Sequence, residues 1–371
     1  MTPPPAVVVD LPNGRDYAVH FEPLATLPMH LREAGLGGGR ALVVTDSTVG
    51  PLYLDRLGDA LRDAGWGIEA ATVPAGEAAK SLGHLGDLYD WALGLGLDRR
   101  APLLALGGGV VGDLGGFAAA SLLRGLPLVQ IPTTVIAQVD SAIGGKTGIN
   151  HEAGKNLIGA FHQPEFVLAD PSTLSTLSER DFRSGLAEAV KHALIADTDL
   201  AEHLDARWDA LARREAEVLA PTIRDAAAVK ARVVAADEYE SGERALLNFG
   251  HTFGHAIERE AGYGALTHGE AVAVGMRAAL HLSASLRLGE TAGGTLPARF
   301  DRADALVRRL DPPPIPASVS NAALTEAMKT DKKRTASGLR FVVLDDLGAA
   351  RVADDISEAA VEAAWRFARE A

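Results

Sequence analysis

Residues 102–125 read PLLALGGGVVGDLGGFAAASLLRG, an apolar strand that runs into glycines and then becomes a helix. Outward from it the same alternation continues. On the N-terminal side AVVVD and YAVHF read as short strands, HLREAG ends a helix, and RALVVTDST is a strand finishing in Asp46. PLYLDRLGDALRDAG and LGHLGDLYDWALGLG then read as helices around the strand GIEAATV, and PLVQIPTT and FVLAD follow as strands on the C-terminal side. Strands alternating with helices predict a mostly parallel, Rossmann-like sheet covered on both faces. Past about residue 177 strand signals nearly vanish and Ala-rich helical segments take over: DFRSGLAEAVKHALIA, EAEVLAPTIRDAAAVKARVVAADE, HTFGHAIERE and GEAVAVGMRAALHLSASLRLG. The fold class expected is therefore an α/β N-terminal domain, 1–177, plus an all-α C-terminal domain, 178–371, with a small hairpin in GLRFVVLDDLGAARVA.

A chain of 371 residues exceeds the size of one growing core, which suits two domains. With 47% hydrophobic and 23% charged residues it has the balance of a soluble globular protein, and no apolar run reaches membrane-spanning length. The first residues carry no secretory pattern, so the cytoplasm is the expected location. The net charge of −13 opposes nucleic-acid binding and leaves room for a small anionic substrate held by a local cluster of cations. With zero cysteines, any metal must take His, Asp or Glu ligands. Only eight of the 36 basic residues are Lys, so each Lys is worth locating.

Gly107, Gly109 and Gly112 fit a G-x-G-x-x-G turn, whose backbone amides can approach a pyrophosphate at a helix N-terminus. A tight strand-to-helix turn is the competing reading, and Asp46 is either a ribose-binding carboxylate or a helix cap. The stretch PTTVIAQVDSAIGGKTGINHEAGKNLIGAFHQP is too long and polar for a simple connector. It contains Asp140, Lys146, Lys155 and Asn156 beside glycines, as a pocket for phosphate oxygens would. In the helical half Glu188 and Lys191 lie three apart, and Lys230, Arg244, Asn248, His251, His255, His268 and Glu270 follow. Three His with a Glu suit a divalent metal. HTFGH resembles half of a zinc-protease helix, but Thr252 stands where that motif needs its Glu, which excludes a metalloprotease.

Together these segments resemble the 3-dehydroquinate synthase family of sugar phosphate cyclases. The likeness runs from about Asp46 to Leu344 through GEAAKSL, GGGVVGDLGGFAAA, the long polar stretch, GLAEAVKH, KARVVAADEYESGERALLNFGHTFGHAIE, LTHGEAVAVGM and DKK. It implies a metal, zinc or cobalt, on Glu188, His251 and His268. It implies NAD on Asp46, Gly76, Glu77, Lys80, Gly109, Val110, Val111, Gly112, Asp113, Thr133, Thr134, Lys146, Lys155, Thr173 and Leu174. Substrate contacts would fall to Asp140, Lys146, Asn156, Lys191, Lys230, Arg244, Asn248, His255 and Lys332, with Arg124 reaching a neighbouring site across a homodimer. The first five lysines all fall in these motifs. His192 and His162 stand where the family often has Tyr, and neither change removes a needed charge.

The reaction so implied is NAD-dependent closure of 3-deoxy-D-arabino-heptulosonate 7-phosphate to 3-dehydroquinate with loss of phosphate. The alternatives are a valiolone-type or scyllo-inosose-type cyclase, whose substrates lack the carboxylate that Lys230 and Arg244 suit, and a metal-dependent polyol dehydrogenase.

Overall fold

The computed structural model describes residues 5–12, 14–37, 39–262, 264–288, 296–332 and 339–370. The chain separates into two compact units, residues 1–177 with 214–239, and residues 178–213 with 240–371.

The first unit is built on a seven-stranded sheet. Its strands are β1 (Val7–Val9), β2 (Tyr17–His20), β3 (Arg40–Asp46), β4 (Gly67–Val73), β5 (Leu103–Gly107), β6 (Leu128–Pro132) and, after a separate hairpin of β7 (Lys146–His151) and β8 (Gly154–Phe161), β9 (Phe166–Leu168). The order is β1-β2-β9-β6-β5-β3-β4; β1 and β2 pair antiparallel and every other pairing is parallel. The central strands are apolar at consecutive positions because each face of the sheet is buried. Leu42, Val44, Leu103 and Ala105 pack with α3 (Leu82–Gly94) and α4 (Gly109–Ser121), while Ala41, Val43, Leu104 and Leu106 pack with α1 (Leu27–Glu33) and α2 (Gly50–Asp63). Alternate residues thus serve opposite cores, and each buried Leu contributes roughly 1.5–3 kcal/mol relative to exposure.

Two features of this unit lie outside the local pattern. The polar stretch after Pro132 is not irregular: a single π-helical turn, Ala137–Ser141, precedes the β7–β8 hairpin. Glycines and charged residues mask its period-2 pattern. The helix of residues 216–236, expected in the helical half, also belongs here. Its buried face, with Val218, Ile223, Val229 and Val233, packs on β1 and on the turns Ala137–Ser141 and Pro171–Thr176.

The second unit holds α5 (Glu179–Ala196), α6 (Thr198–Ala212), then, beyond the helix α7 (Ala216–Ala236) of the first unit, α8 (His251–Ala261), α9 (His268–Leu288), α10 (Ala298–Arg308), α11 (Asn321–Lys332) and α12 (Glu358–Arg369). One antiparallel hairpin, β10 (Phe341–Asp346) with β11 (Ala349–Ala353), accompanies them, so this part is helical with a single expected exception. The helix α9 is the hub, packing on α5, α8, α10 and α12. Glycine permits that closeness. A Cβ on Gly275 would stand 2.1 Å from the Gly250 carbonyl oxygen, and one on Gly269 would stand 1.8 Å from that of Ser184.

Candidate active site

Three helices of the second unit deliver one cluster. Glu188, fully buried on α5, lies with Oε1 3.7 Å from His251 Nε2 and 3.5 Å from His268 Nε2. Donors on a tetrahedral zinc with bonds of 2.0–2.1 Å lie roughly 3.3 Å apart, so these separations, and a His-His-Glu donor set, fit a divalent metal. Lys191, one turn along α5 and also buried, forms an ion pair with Glu188. Burial, then the Lys191 charge, hold the His251 imidazole well below its ordinary pKa, in the neutral form that ligates. Burial acts the same way on His268, but hydrogen bonds to Glu188 and Glu258 outweigh it and raise its pKa to about 10.

The position of His268 is determined by its neighbours. Thr267 and Glu270 make reciprocal backbone bonds at the start of α9, Thr267 N–H donating to Glu270 Oε2 at 2.7 Å and Glu270 N–H to Thr267 Oγ1 at 3.3 Å. Arg180, on α5, donates through Nε and Nη2 to the two Glu270 oxygens at 2.7 Å each. Glu270 therefore ties α9 to α5, the helix of Glu188, and is not itself a ligand of the cluster. His268 Nδ1 lies 3.3 Å from Glu258 Oε2. Glu258 escapes a reading of motifs, yet it sits seven residues after His251 and three after His255, on the same face of α8, and that spacing is the signal that could have found it.

His255, Glu258 and His268 form a second group with donor atoms within 4.8 Å, sharing His268 with the first. His255 is exposed, and its ring centroid is 5.4 Å from His251 and 6.1 Å from His268. Glu188, buried and flanked by two imidazoles, makes the first group the better metal cage, with Glu258 orienting His268 from outside. Arg244 is buried in the turn Glu243–Asn248, and Asn248 Nδ2 donates to Glu240 Oε1 at 3.3 Å, a second carboxylate that sequence reasoning missed. Lys332 is the last residue of α11, and its side chain lies outside the described residues.

In the first unit the expected cofactor and substrate residues form a second network. Lys80, buried, donates to Asp113 Oδ2 at 2.7 Å and to Asn156 Oδ1, with Glu77 Oε1 3.7 Å away. Asn150 Nδ2 donates to Glu77 Oε1 at 2.8 Å, and Asn156 N–H donates to Asn150 Oδ1 at 3.0 Å. The segment with Gly76, Glu77 and Lys80, the start of α4 and the β7–β8 hairpin are thus joined. Burial raises the Asp113 carboxyl to about 6, with Lys80 opposing the shift. Lys230 on α7 donates to Asp140 Oδ1 at 2.7 Å. Lys146 and Lys155 are exposed on the hairpin.

Dinucleotide binding finds a fitting frame. The helix α4 follows β5 through Gly108, its N-cap, which offers no side-chain cap, so the amides of Gly109, Val110 and Val111 have no acceptor within the helix and could meet an anion. Thr133, buried at the end of β6, has a hydroxyl without a partner among the described residues, and Thr134 stands beside Gly108. Other expected contacts are occupied within the protein. Asp46 Oδ1 accepts from Thr48 N–H at 2.7 Å and Val49 N–H at 2.9 Å, closing the turn that leads into α2. Thr173 Oγ1 donates to the Asp170 carbonyl at 2.7 Å, and Leu174 is core. Gly112 N–H is bonded to the Gly108 carbonyl as a helix residue.

The family model described as 3-dehydroquinate synthase N-terminal matches residues 70–184, and its C-terminal counterpart matches residues 185–334. A 3-dehydroquinate synthase of Salinibacter ruber is 53% identical over 366 residues, 98% of each chain. The chain belongs to the 3-dehydroquinate synthase family. Among solved structures, 2-epi-5-epi-valiolone synthase from Streptomyces hygroscopicus subsp. jinggangensis, with NAD+ and Zn2+ bound, is similar with a TM-score of 0.86 and 30% identity, covering 95% of this chain and 97% of that one. A 2-deoxy-scyllo-inosose synthase complexed with carbaglucose-6-phosphate, NAD+ and Co2+ is similar with a TM-score of 0.86 and 25% identity, covering 99% and 100%. The sugar phosphate cyclases therefore share the mostly parallel sheet and helical second half seen in this member of the 3-dehydroquinate synthase family.

Proposed function

We propose that the chain converts 3-deoxy-D-arabino-heptulosonate 7-phosphate to 3-dehydroquinate and phosphate, a carbon–oxygen lyase reaction in which NAD+ is consumed and regenerated within each turnover. The observation that carries this reading is the Glu188–His251–His268 cluster, built on a buried Glu188 beside Lys191, in a chain so similar to 3-dehydroquinate synthases. When bound, NAD+ supplies a reversible hydride acceptor, and a divalent cation on Glu188, His251 and His268 supplies a Lewis acid.

The chain's own residues hold and orient the substrate. Lys146, Asn156, Asn248, His255 and Arg124 take the phosphate; Lys230, oriented by Asp140, takes the carboxylate with Arg244. With carbon 4 at the ketone level the hydrogen on carbon 5 is acidic, and the leaving phosphate itself accepts that proton. His255 and Asn248 then act by orienting phosphate, so no further strong base is needed. After reduction and ring opening, an enolate faces a ketone within one molecule. Holding both ends contributes on the order of 7–11 kcal/mol to the aldol closure.

The working unit is a homodimer in the cytoplasm, where a charged sugar phosphate is retained. Two features support the pairing. Arg124 and Leu123 have φ of 67° and 49°, strained for residues with a Cβ, and Arg124 is exposed without an ion pair among the described residues. Leu157, Ile158 and Phe161 are exposed apolar side chains on β8.

Incubation with the heptulosonate phosphate, NAD+ and Zn2+ or Co2+ tests the proposal. Phosphate and dehydroquinate are expected in equal amounts and in many-fold excess over NADH. Stoichiometric NADH without phosphate would make the protein a polyol dehydrogenase, and equal turnover of sedoheptulose 7-phosphate would make it a valiolone-type cyclase.

A further inference from the structure

Lys146 enters β7 from a turn of two glycines, and that turn is held by residues the proposed reaction does not use. Gly144 and Gly145 have φ of 100° and 67°, conformations that exact a cost from a residue with a Cβ and leave a glycine pair free to rotate unless it is fastened. Three contacts fasten it. The Gly144 N–H donates at 2.8 Å to Tyr17 Oη, whose side chain is buried at the start of β2. The Gly145 carbonyl accepts from the His162 N–H at 2.8 Å, and the Gln163 amide lies across Gly145 so closely that a Cβ there would stand 2.7 Å from Gln163 Cδ. Gln163 is itself held. Its Nε2 donates at 3.0 Å to Oε1 of Glu238, a buried carboxylate just past the end of α7, and Arg15 donates to both oxygens of that carboxylate at 2.7 Å and 2.6 Å.

We propose that Glu238, acting through Gln163, and Tyr17 are positioning residues that fix the Gly144–Gly145 turn and thereby the direction in which Lys146 meets the substrate phosphate. This rests on the assignment of Lys146 to the phosphate made above. An ion pair that served only to tie the loop before β2 to α7 would be complete with Arg15. Here Glu238 Oε1 is shared between Arg15 and Gln163, so the carboxylate also sets the plane of the amide that covers Gly145. A bidentate guanidinium holds that carboxylate in a defined orientation, which a single hydrogen bond does not. Lys146 is the first residue of β7, paired with Phe161 and joined directly to Gly145, so a rotation about either glycine redirects its side chain. The other end of the same segment is secured by the same helix, where Lys230 on α7 donates to Asp140 Oδ1 at 2.7 Å. Lys146, assigned to the phosphate, and Lys230, assigned to the carboxylate, are therefore registered against one support, as a site that must hold both ends of one substrate requires.

Inorganic phosphate is the probe. Its dissociation constant is measured by equilibrium dialysis on the full-length chain loaded with NAD+ and Zn2+, alongside KM and kcat for the heptulosonate phosphate and the zinc content. Glu238→Gln and Tyr17→Phe are each expected to weaken phosphate binding about tenfold and to raise KM by a similar factor, with kcat and zinc content little changed. Lys146→Ala is expected to weaken phosphate more than either, and in that background neither change adds to the loss, because each acts through the ammonium that is gone. Tyr17→Phe removes a single hydroxyl and decides the question if Glu238→Gln fails to fold. Undiminished phosphate binding in both variants, or losses that add in full to that of Lys146→Ala, overturns the proposal and leaves Glu238 and Tyr17 as braces of the fold. Phosphate binding unchanged by Lys146→Ala itself overturns the assignment of Lys146, a separate failure with which the proposal also falls.

Discussion

Glu258→Gln keeps the size of a buried side chain and removes its charge, and it separates the two metal groups that share His268. If Glu258 only orients His268, the change weakens a contact of 3.3 Å, slightly long for an N–H···O hydrogen bond. Loss of an outer carboxylate on a ligating His costs about 10- to 100-fold in metal affinity, and the long contact places this one near tenfold, about 1.4 kcal/mol. If Glu258 is instead a ligand with His255 and His268, the loss is that of one donor in three, and affinity falls by far more than 100-fold. The assay is competition for Zn2+ against a chromophoric chelator, run in parallel on Glu258→Gln, His251→Ala and His255→Ala. We expect Glu258→Gln to bind the metal of this cluster about tenfold more weakly, His251→Ala to lose the metal of this cluster almost entirely, and His255→Ala to bind as the unaltered chain does while turning over poorly. Near-complete metal loss in Glu258→Gln and His255→Ala, with retention in His251→Ala, would refute the assignment. A change below twofold in Glu258→Gln would refute the orienting role.

Two further outcomes are expected. Asp113, raised to about 6 in the folded chain from an ordinary 3.8, binds its proton more tightly folded than unfolded, so unfolding free energy falls as pH rises from about 4 to about 6, by roughly 3 kcal/mol. Chemical denaturation across that range should show the slope in the unaltered chain and its flattening in Asp113→Asn; an Asp113 carboxyl carbon that titrates near 4 by NMR would contradict the shift. Arg244→Met, which removes a buried guanidinium assigned to the substrate carboxylate, should lower kcat/KM for the heptulosonate phosphate by about 100-fold, some 3 kcal/mol, with metal content unchanged. Undiminished turnover in that variant would remove Arg244 from the carboxylate site.

What could be read from the sequence alone was whatever rests on local period. Residues 102–125 and their flanks show the parallel sheet because a strand buried on both faces is apolar at every position, and a helix on one face is not. The blocks that resemble the family supplied the candidate residues, since each block is contiguous. Tertiary structure decided what depends on distance between segments. Glu188, His251 and His268 lie on three helices, and only the glycine contacts that let α9 approach α5 and α8 bring their donor atoms together. Nothing local marks Arg180, and the spacing of Glu258 only places it on the face of α8 that carries His251 and His255; both roles exist only once α9 is docked. The helix Ala216–Ala236 carries a helical period that cannot say which sheet or bundle will cover it, and packing places it against β1. Arg15, Gln163 and Glu238 are scattered through the sequence; their hydrogen bonds arise because α7, laid against β1, ends beside Gln163, a fact of packing and not of pattern.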